Sequence, residues 1–175
     1  ANDGTQIGPA GSGIPPALMG VTHVKQTAIF PGRYVQSEGA LADLGDEVSR
    51  LGTRALVIAG GTANDSLVPP FLPRWSERLQ LSVERFGGEC CDQEIERLTQ
   101  VAKQQACEVV VGMGGGKVID TAKAVGYQAG VRVSIVATIA STDAPASAVS
   151  VIYTPEGAFS RYLFLPRNPE LVLVD

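Results

Sequence analysis

Histidine is almost missing from this chain: His23 is the only one. Chemistry that needs two histidines cannot be built from it. Cysteine is scarce too. Cys90, Cys91 and Cys107 make an odd number without a CxxC spacing, which argues against a disulfide framework or a zinc ribbon and fits a reducing compartment. No run of about 18 apolar residues occurs, so no membrane-spanning helix is expected. Basic charge is not in excess: 14 Lys and Arg against 18 Asp and Glu leave a net charge of −4, and nucleic acid is not an expected partner. What is present is 175 residues, 45% of them apolar. A chain of that length buries roughly two-thirds of its unfolded surface, enough for one domain without disulfides or structural metal.

Within the first 24 residues, the stretch Ala1 to Gly20 is rich in Gly, Pro, Ser and Ala, with neither a periodic apolar face nor a basic amphipathic pattern. They read as a flexible arm, or as what remains of a processed segment, ahead of one domain over residues 25–175. No secretory hydrophobic region is visible. The expected compartment is the cytoplasm, with an organelle matrix as the alternative if a targeting peptide has been removed.

Past residue 25, short continuous apolar runs alternate with helical periods. Arg54 to Ala59, Ser82 to Phe86, Glu108 to Gly112 and Arg132 to Ala137 each end in glycines or small polar residues. Runs of this kind suit strands buried on both faces of a parallel sheet. Between them, Leu41, Leu44, Val48 and Leu51 mark one helix. Ile95, Leu98 and Val101 mark another, with Asp92 as its expected N-cap. Val118, Ile119, Ala122 and Val125 mark a third, expected to end at Gly126. Pro69, Pro70 and Pro73 move the expected start of the remaining helix to Pro73, ending at Leu81. The pattern predicts an α/β fold: a mostly parallel, Rossmann-like nucleotide-binding sheet flanked by helices. After Ala140, a strand pair is expected around Thr154 to Gly157, followed by a last strand, Leu171 to Asp175, expected to leave an exposed edge.

Residues 112 to 120 read Gly-Met-Gly-Gly-Gly-Lys-Val-Ile-Asp, at the end of a strand and the start of a helix. Free backbone N–H groups and the positive helix end can hold a phosphate there, and glycine lets the ligand approach closely. This is not a Walker A loop, because Val111 and Val118 occupy its first Gly and its Ser/Thr. Nor is it GxGxxG, because Lys117 replaces the last glycine. The alternative is a tight structural turn with a solvated lysine, but a lysine at a helix start is unfavourable for the dipole and invites an anionic neighbour. Thr138 to Ser147 follows the next strand and should face the same crevice. Its hydroxyls can donate to phosphate or ribose, and Asp143 can accept from a substrate hydroxyl. An Asx or Ser/Thr turn before Pro145 is the competing explanation.

The stretches 114–124, 141–147, 149–153 and 168–175, with 30–36 and 88–90, together resemble the glycerol dehydrogenase family within the iron-containing alcohol dehydrogenase superfamily. The resemblance covers about Ala28 to Asp175. It implies an NAD- or NADP-dependent oxidoreductase acting on a small polyol, with glycerol oxidised to dihydroxyacetone. It also implies a second, helical domain, absent from this stretch, that supplies a divalent metal (zinc or iron). By resemblance, Gly115, Gly116 and Lys117 wrap the pyrophosphate, with Asp120 nearby. Thr138 and Ser141 touch the dinucleotide, Ser147, Val149 and Tyr153 line the nicotinamide side, and Asp143 contacts the polyol. A homo-oligomer or a larger assembly is expected, and no membrane partner.

Two departures carry weight. Where NAD-using relatives place an aspartate after the strand Ala55 to Ala59, this chain has Gly60. Losing that carboxylate removes an acceptor for the ribose and a repulsion against a 2′-phosphate, which predicts weakened discrimination against NADP. The aspartate and two histidines that hold the metal in relatives would lie beyond Asp175, so this stretch alone is expected to be inactive. The alternative reading is a non-catalytic, half-length relative serving as a structural or nucleotide-sensing subunit.

Overall fold

A computed structural model describes residues 30–139 and 143–175; the expected arm, His23 and Ser141 lie outside the described residues. Eight strands and four helices follow in the order β1 (Arg33–Gln36), α1 (Leu44–Ser49), β2 (Arg54–Ala59), α2 (Val68–Ser76), β3 (Gln80–Arg85), α3 (Asp92–Gln104), β4 (Val109–Gly114), α4 (Gly116–Ala129), β5 (Arg132–Ala137), β6 (Val149–Tyr153), β7 (Phe159–Phe164) and β8 (Leu171–Val174). Six strands form one sheet in the order β1-β8-β5-β4-β2-β3, and every neighbouring pair is parallel. The other two, β6 and β7, form an antiparallel hairpin with an irregularity at Ile152/Tyr153. Among the described residues no helix is long and apolar enough to cross a membrane.

The continuous apolar runs arise because both faces of the sheet are covered. Leu56, Ile58, Val110, Ile135 and Val172 point to one side, where they meet Ile95 and Leu98 of α3 and Ile119 and Ala122 of α4. Ala55, Val57, Val111, Met113 and Leu173 point to the other, against Leu44 and Val48 of α1 and Trp75 of α2. Fully buried Trp75 donates its indole N–H to the Leu41 carbonyl at 2.9 Å, so its polar atom is satisfied.

Several details differ from the sequence expectation. The second helix starts at Val68 rather than Pro73, because Pro69 and Pro70 sit in its first turn, where no N–H is needed; Pro73 lies inside it. Cys91, not Asp92, holds the N-cap position of α3. The fourth helix passes through Gly126 and ends at Gly130, whose φ of 71° provides the left-handed stop. The last strand is no exposed edge: β8 lies between β5 and β1, with Leu171, Val172 and Leu173 buried.

Helix α4 sits unusually close to β4. A Cβ built on Gly112 would lie 2.5 Å from the Ala122 Cβ and 3.3 Å from Ile135 Cδ1. An alanine Cβ has no rotamer by which to retreat, so helix and strand must separate. Gly112→Ala is expected to cost about 1–3 kcal/mol, read as a lowered urea midpoint at unchanged slope. An unchanged midpoint would show that α4 does not depend on this approach.

Candidate functional site

The sheet changes direction between β2 and β4. From β2 the chain passes through α2 to β3 on one side, then returns through α3 to β4 on the other. Helices α2 and α3 cover opposite faces, so the loops after β2 and β4 part and leave a crevice beyond the strand ends. Gly60 and Gly61 form one wall and Gly114 to Gly116 the other. The walls are joined at the base, where the Gly60 N–H donates to the Met113 carbonyl at 3.0 Å.

At Gly114 φ is +155°, and a Cβ there would lie 3.0 Å from Val118 Cγ2. The turn is therefore built for glycine. Gly115 occupies the N-cap of α4 in extended conformation and brings no side-chain cap. The first intrahelical bond of the helix is from the Ile119 N–H to the Gly115 carbonyl, at 3.1 Å. The N–H groups of Gly116, Lys117 and Val118 thus remain at the open end of the helix, where an anion is favoured.

The loop after β5 lies directly alongside. The Thr138 N–H donates to the Gly114 carbonyl at 3.3 Å, and a Cβ on Gly115 would be 3.5 Å from Ile139 Cδ1. Thr138 is exposed beside the glycine turn, and Asp143 is exposed at the start of the short turn Ala144–Ala146. Asp143 also lines a 290 Å³ groove with Ala137, Ile139 and Val174, beyond the ends of β5 and β8.

Lys117, in the first turn of α4, meets the loop after β3. Its Nζ is 2.6 Å from Glu89 Oε2 and 5.2 Å from the centre of the Tyr153 ring. Glu89 holds the ammonium pKa above its ordinary value. Tyr153 is anchored by its N–H to the Cys90 carbonyl at 2.8 Å, and Arg161 clamps the hairpin to Asp92 with two bonds of 2.9 and 2.7 Å. Cys90 is fully buried, and desolvation pushes its thiol pKa up to about 12, which leaves a protonated packing residue rather than a nucleophile.

The remaining site candidates converge on a residue that the sequence reading did not single out. Lys123, 1% exposed, sends its ammonium from α4 to Asp120 Oδ1 at 2.9 Å, to the Ala144 carbonyl at 2.9 Å and to the Ser147 carbonyl at 3.3 Å. It also donates to the Val149 carbonyl. Burial pushes its pKa down, while the Asp120 carboxylate pulls it back. The other Asp120 oxygen accepts from the Val151 N–H at 3.1 Å, and the Asp120 carbonyl accepts from the Ser150 hydroxyl at 2.9 Å. Asp120 is therefore buried and engaged with protein groups, and Ser147 and Val149 are held through their main chain. One signal for Lys123 was readable: it stands among Val118, Ile119, Ala122, Ala124 and Val125, an apolar set too wide for a single helix face. Among the described residues no group of three or more His, Cys, Asp or Glu could hold a metal ion.

Fold and crevice together define a doubly wound, Rossmann-like sheet with a glycine-lined turn at its switch point. The iron-containing alcohol dehydrogenase family model matches residues 31–175, and the chain belongs to that family. It is 53% identical over 149 residues to the glycerol dehydrogenase of Thermotoga maritima, covering 85% of this chain and 41% of that protein. It is 45% identical over 151 residues to the glycerol dehydrogenase of Escherichia coli O6:H1, covering 83% and 40%. The crystal structure of a probable glycerol dehydrogenase from Sinorhizobium meliloti superposes with a TM-score of 0.77 at 44% identity, covering 86% of this chain and 40% of that one. The chain thus spans about 40% of the length of these relatives.

Proposed function

We propose that this stretch is the nucleotide-binding portion of an NAD(P)-dependent polyol dehydrogenase that oxidises glycerol to dihydroxyacetone. The observation that carries the proposal is the contact between two adjacent loops at the top of the sheet, one lined by glycine and one by hydroxyls. In this reading the pyrophosphate sits on the backbone N–H groups after Gly115 and Gly116, with the Lys117 charge beside it. Thr138 and Ser141 contact the dinucleotide. Tyr153, Ser147 and Val149 border the nicotinamide, and Asp143 accepts from a polyol hydroxyl. Asp120 and Lys123 keep the second loop in place. The nicotinamide, when bound, supplies the hydride acceptor; the role of this chain is to hold and orient it. The family also implies a metal, for which the described residues offer no donor set. Residues outside those described would have to provide it.

The test is titration of the chain with NADH and with NADPH, following the fluorescence of the reduced nicotinamide. Saturable binding of at least one cofactor is expected. Lys117→Ala should weaken it roughly tenfold through loss of one charge-assisted contact, and no glycerol oxidation is expected from the stretch alone. Absence of binding by both cofactors would overturn the proposal and favour a structural subunit.

A further inference from the structure

We propose that Arg85 binds the 2′-phosphate of the cofactor's adenosine ribose and makes this chain selective for NADP(H) over NAD(H). The assignment rests on the nucleotide-binding reading above and adds a specificity residue to it. With the pyrophosphate at the turn after β4, the adenosine ribose of a doubly wound sheet lies across the crevice, at the end of β2. That strand ends at Ala59 and continues as Gly60-Gly61-Thr62, three residues without a carboxylate where an acceptor for the ribose hydroxyls would stand.

A cation stands there instead. In register, Ala59 is paired with Arg85, the last residue of β3. The Arg85 side chain folds back over the end of β2, and its Nη2 lies 3.1 Å from the position a Cβ on Gly61 would take. The guanidinium therefore occupies space that a side chain at residue 61 would fill. The glycine pair removes the acid and also makes room for the base.

The surroundings hold Arg85 without consuming it. Its Nη1 meets Asp65 Oδ1 at 2.6 Å, and the same oxygen accepts from Asn64 Nδ2 at 3.0 Å. Both partners of the Arg85–Asp65 pair are more than half exposed, at 58% and 54%, so the pair is weak and exchangeable. Among the described residues Nη2 has no hydrogen-bond partner. The neighbouring cation, Arg97, is already engaged by Glu84 at 2.6 Å and Glu94 at 2.9 Å, and it donates to the Arg85 carbonyl at 3.2 Å, which fixes the strand end. A phosphate dianion offers a guanidinium two parallel bonds, a better partner than one shared carboxylate oxygen.

The experiment measures dissociation constants for NADPH and NADH on the unaltered chain, Arg85→Gln and Gly60→Asp, with urea midpoints as a check on folding. The unaltered chain should bind NADPH roughly tenfold or more tightly than NADH. Arg85→Gln should lose most of that advantage while NADH affinity stays within about twofold, since NADH carries no group at this position. Gly60→Asp should invert the preference, because a carboxylate repels the 2′-phosphate and accepts from the ribose. Retention of the NADPH preference in Arg85→Gln, or equal weakening of both cofactors, would overturn the assignment and leave the proposed function standing. If neither cofactor binds the unaltered chain, the proposed function fails and this assignment with it.

Discussion

Replacing Lys123 by methionine is expected to remove about 3–5 kcal/mol of folding stability, a large part of the ~5–15 kcal/mol that holds a domain together. Methionine matches the aliphatic length of lysine, so packing is nearly conserved and the loss reports the ammonium. Three consequences add up. Asp120, 7% exposed, loses its counter-ion. The carbonyls of Ala144, Ser147 and Val149 lose a common donor. The segment that leads from the second loop into β6 loses its tie to α4. The double variant Asp120→Asn/Lys123→Met separates these terms: it removes the stranded charge but keeps an acceptor for the Val151 N–H. Urea unfolding should show the double variant recovering part of the loss. A Lys123→Met change below about 1 kcal/mol would show that the ammonium is not a structural strut.

That pair also shows where sequence reading stops. The motif around Gly114 was legible because strand, glycines and helix are contiguous and their function is local. Lys123 was not, since its partners at residues 144, 147 and 149 lie far along the chain and meet it only once α4 has packed against the sheet. The same reason hid β1, a four-residue strand whose residues are mostly exposed and whose strand partner among the described residues is β8. The place of β8 inside the sheet, between β1 and β5, is likewise non-local, although its continuous Leu-Val-Leu-Val run is what a strand covered on both faces requires. Proline misled in the opposite direction: Pro69 and Pro70 resemble breakers, yet they are compatible with the first turn of a helix. Arg85 escaped notice because nothing in its own neighbourhood marks it; its significance comes from the parallel pairing that sets it beside Gly60 and Gly61.

Gly115→Asp separates fold from function more sharply than deleting any side chain. The backbone at Gly115 is extended, with φ −88° and ψ −175°, which any residue adopts. Among the described residues a Cβ there meets only Ile139 Cδ1, at an ordinary contact of 3.5 Å. Aspartate is a favoured N-cap, and α4 has no side-chain cap, so stability should hold or rise by about 0.5–1 kcal/mol. The cap works by occupying the N–H groups at the start of α4, the same groups proposed to hold the pyrophosphate, and it places a carboxylate against that anion. Affinity for both NADH and NADPH should therefore fall by roughly a hundredfold or more, as two favourable contacts are replaced by one repulsive one. Asparagine at the same position caps without charge and should fall between the two. A variant that unfolds at the same or higher urea concentration yet no longer shifts nicotinamide fluorescence locates the phosphate at this turn. A stable variant that still binds both cofactors at full strength would place the dinucleotide elsewhere on the sheet.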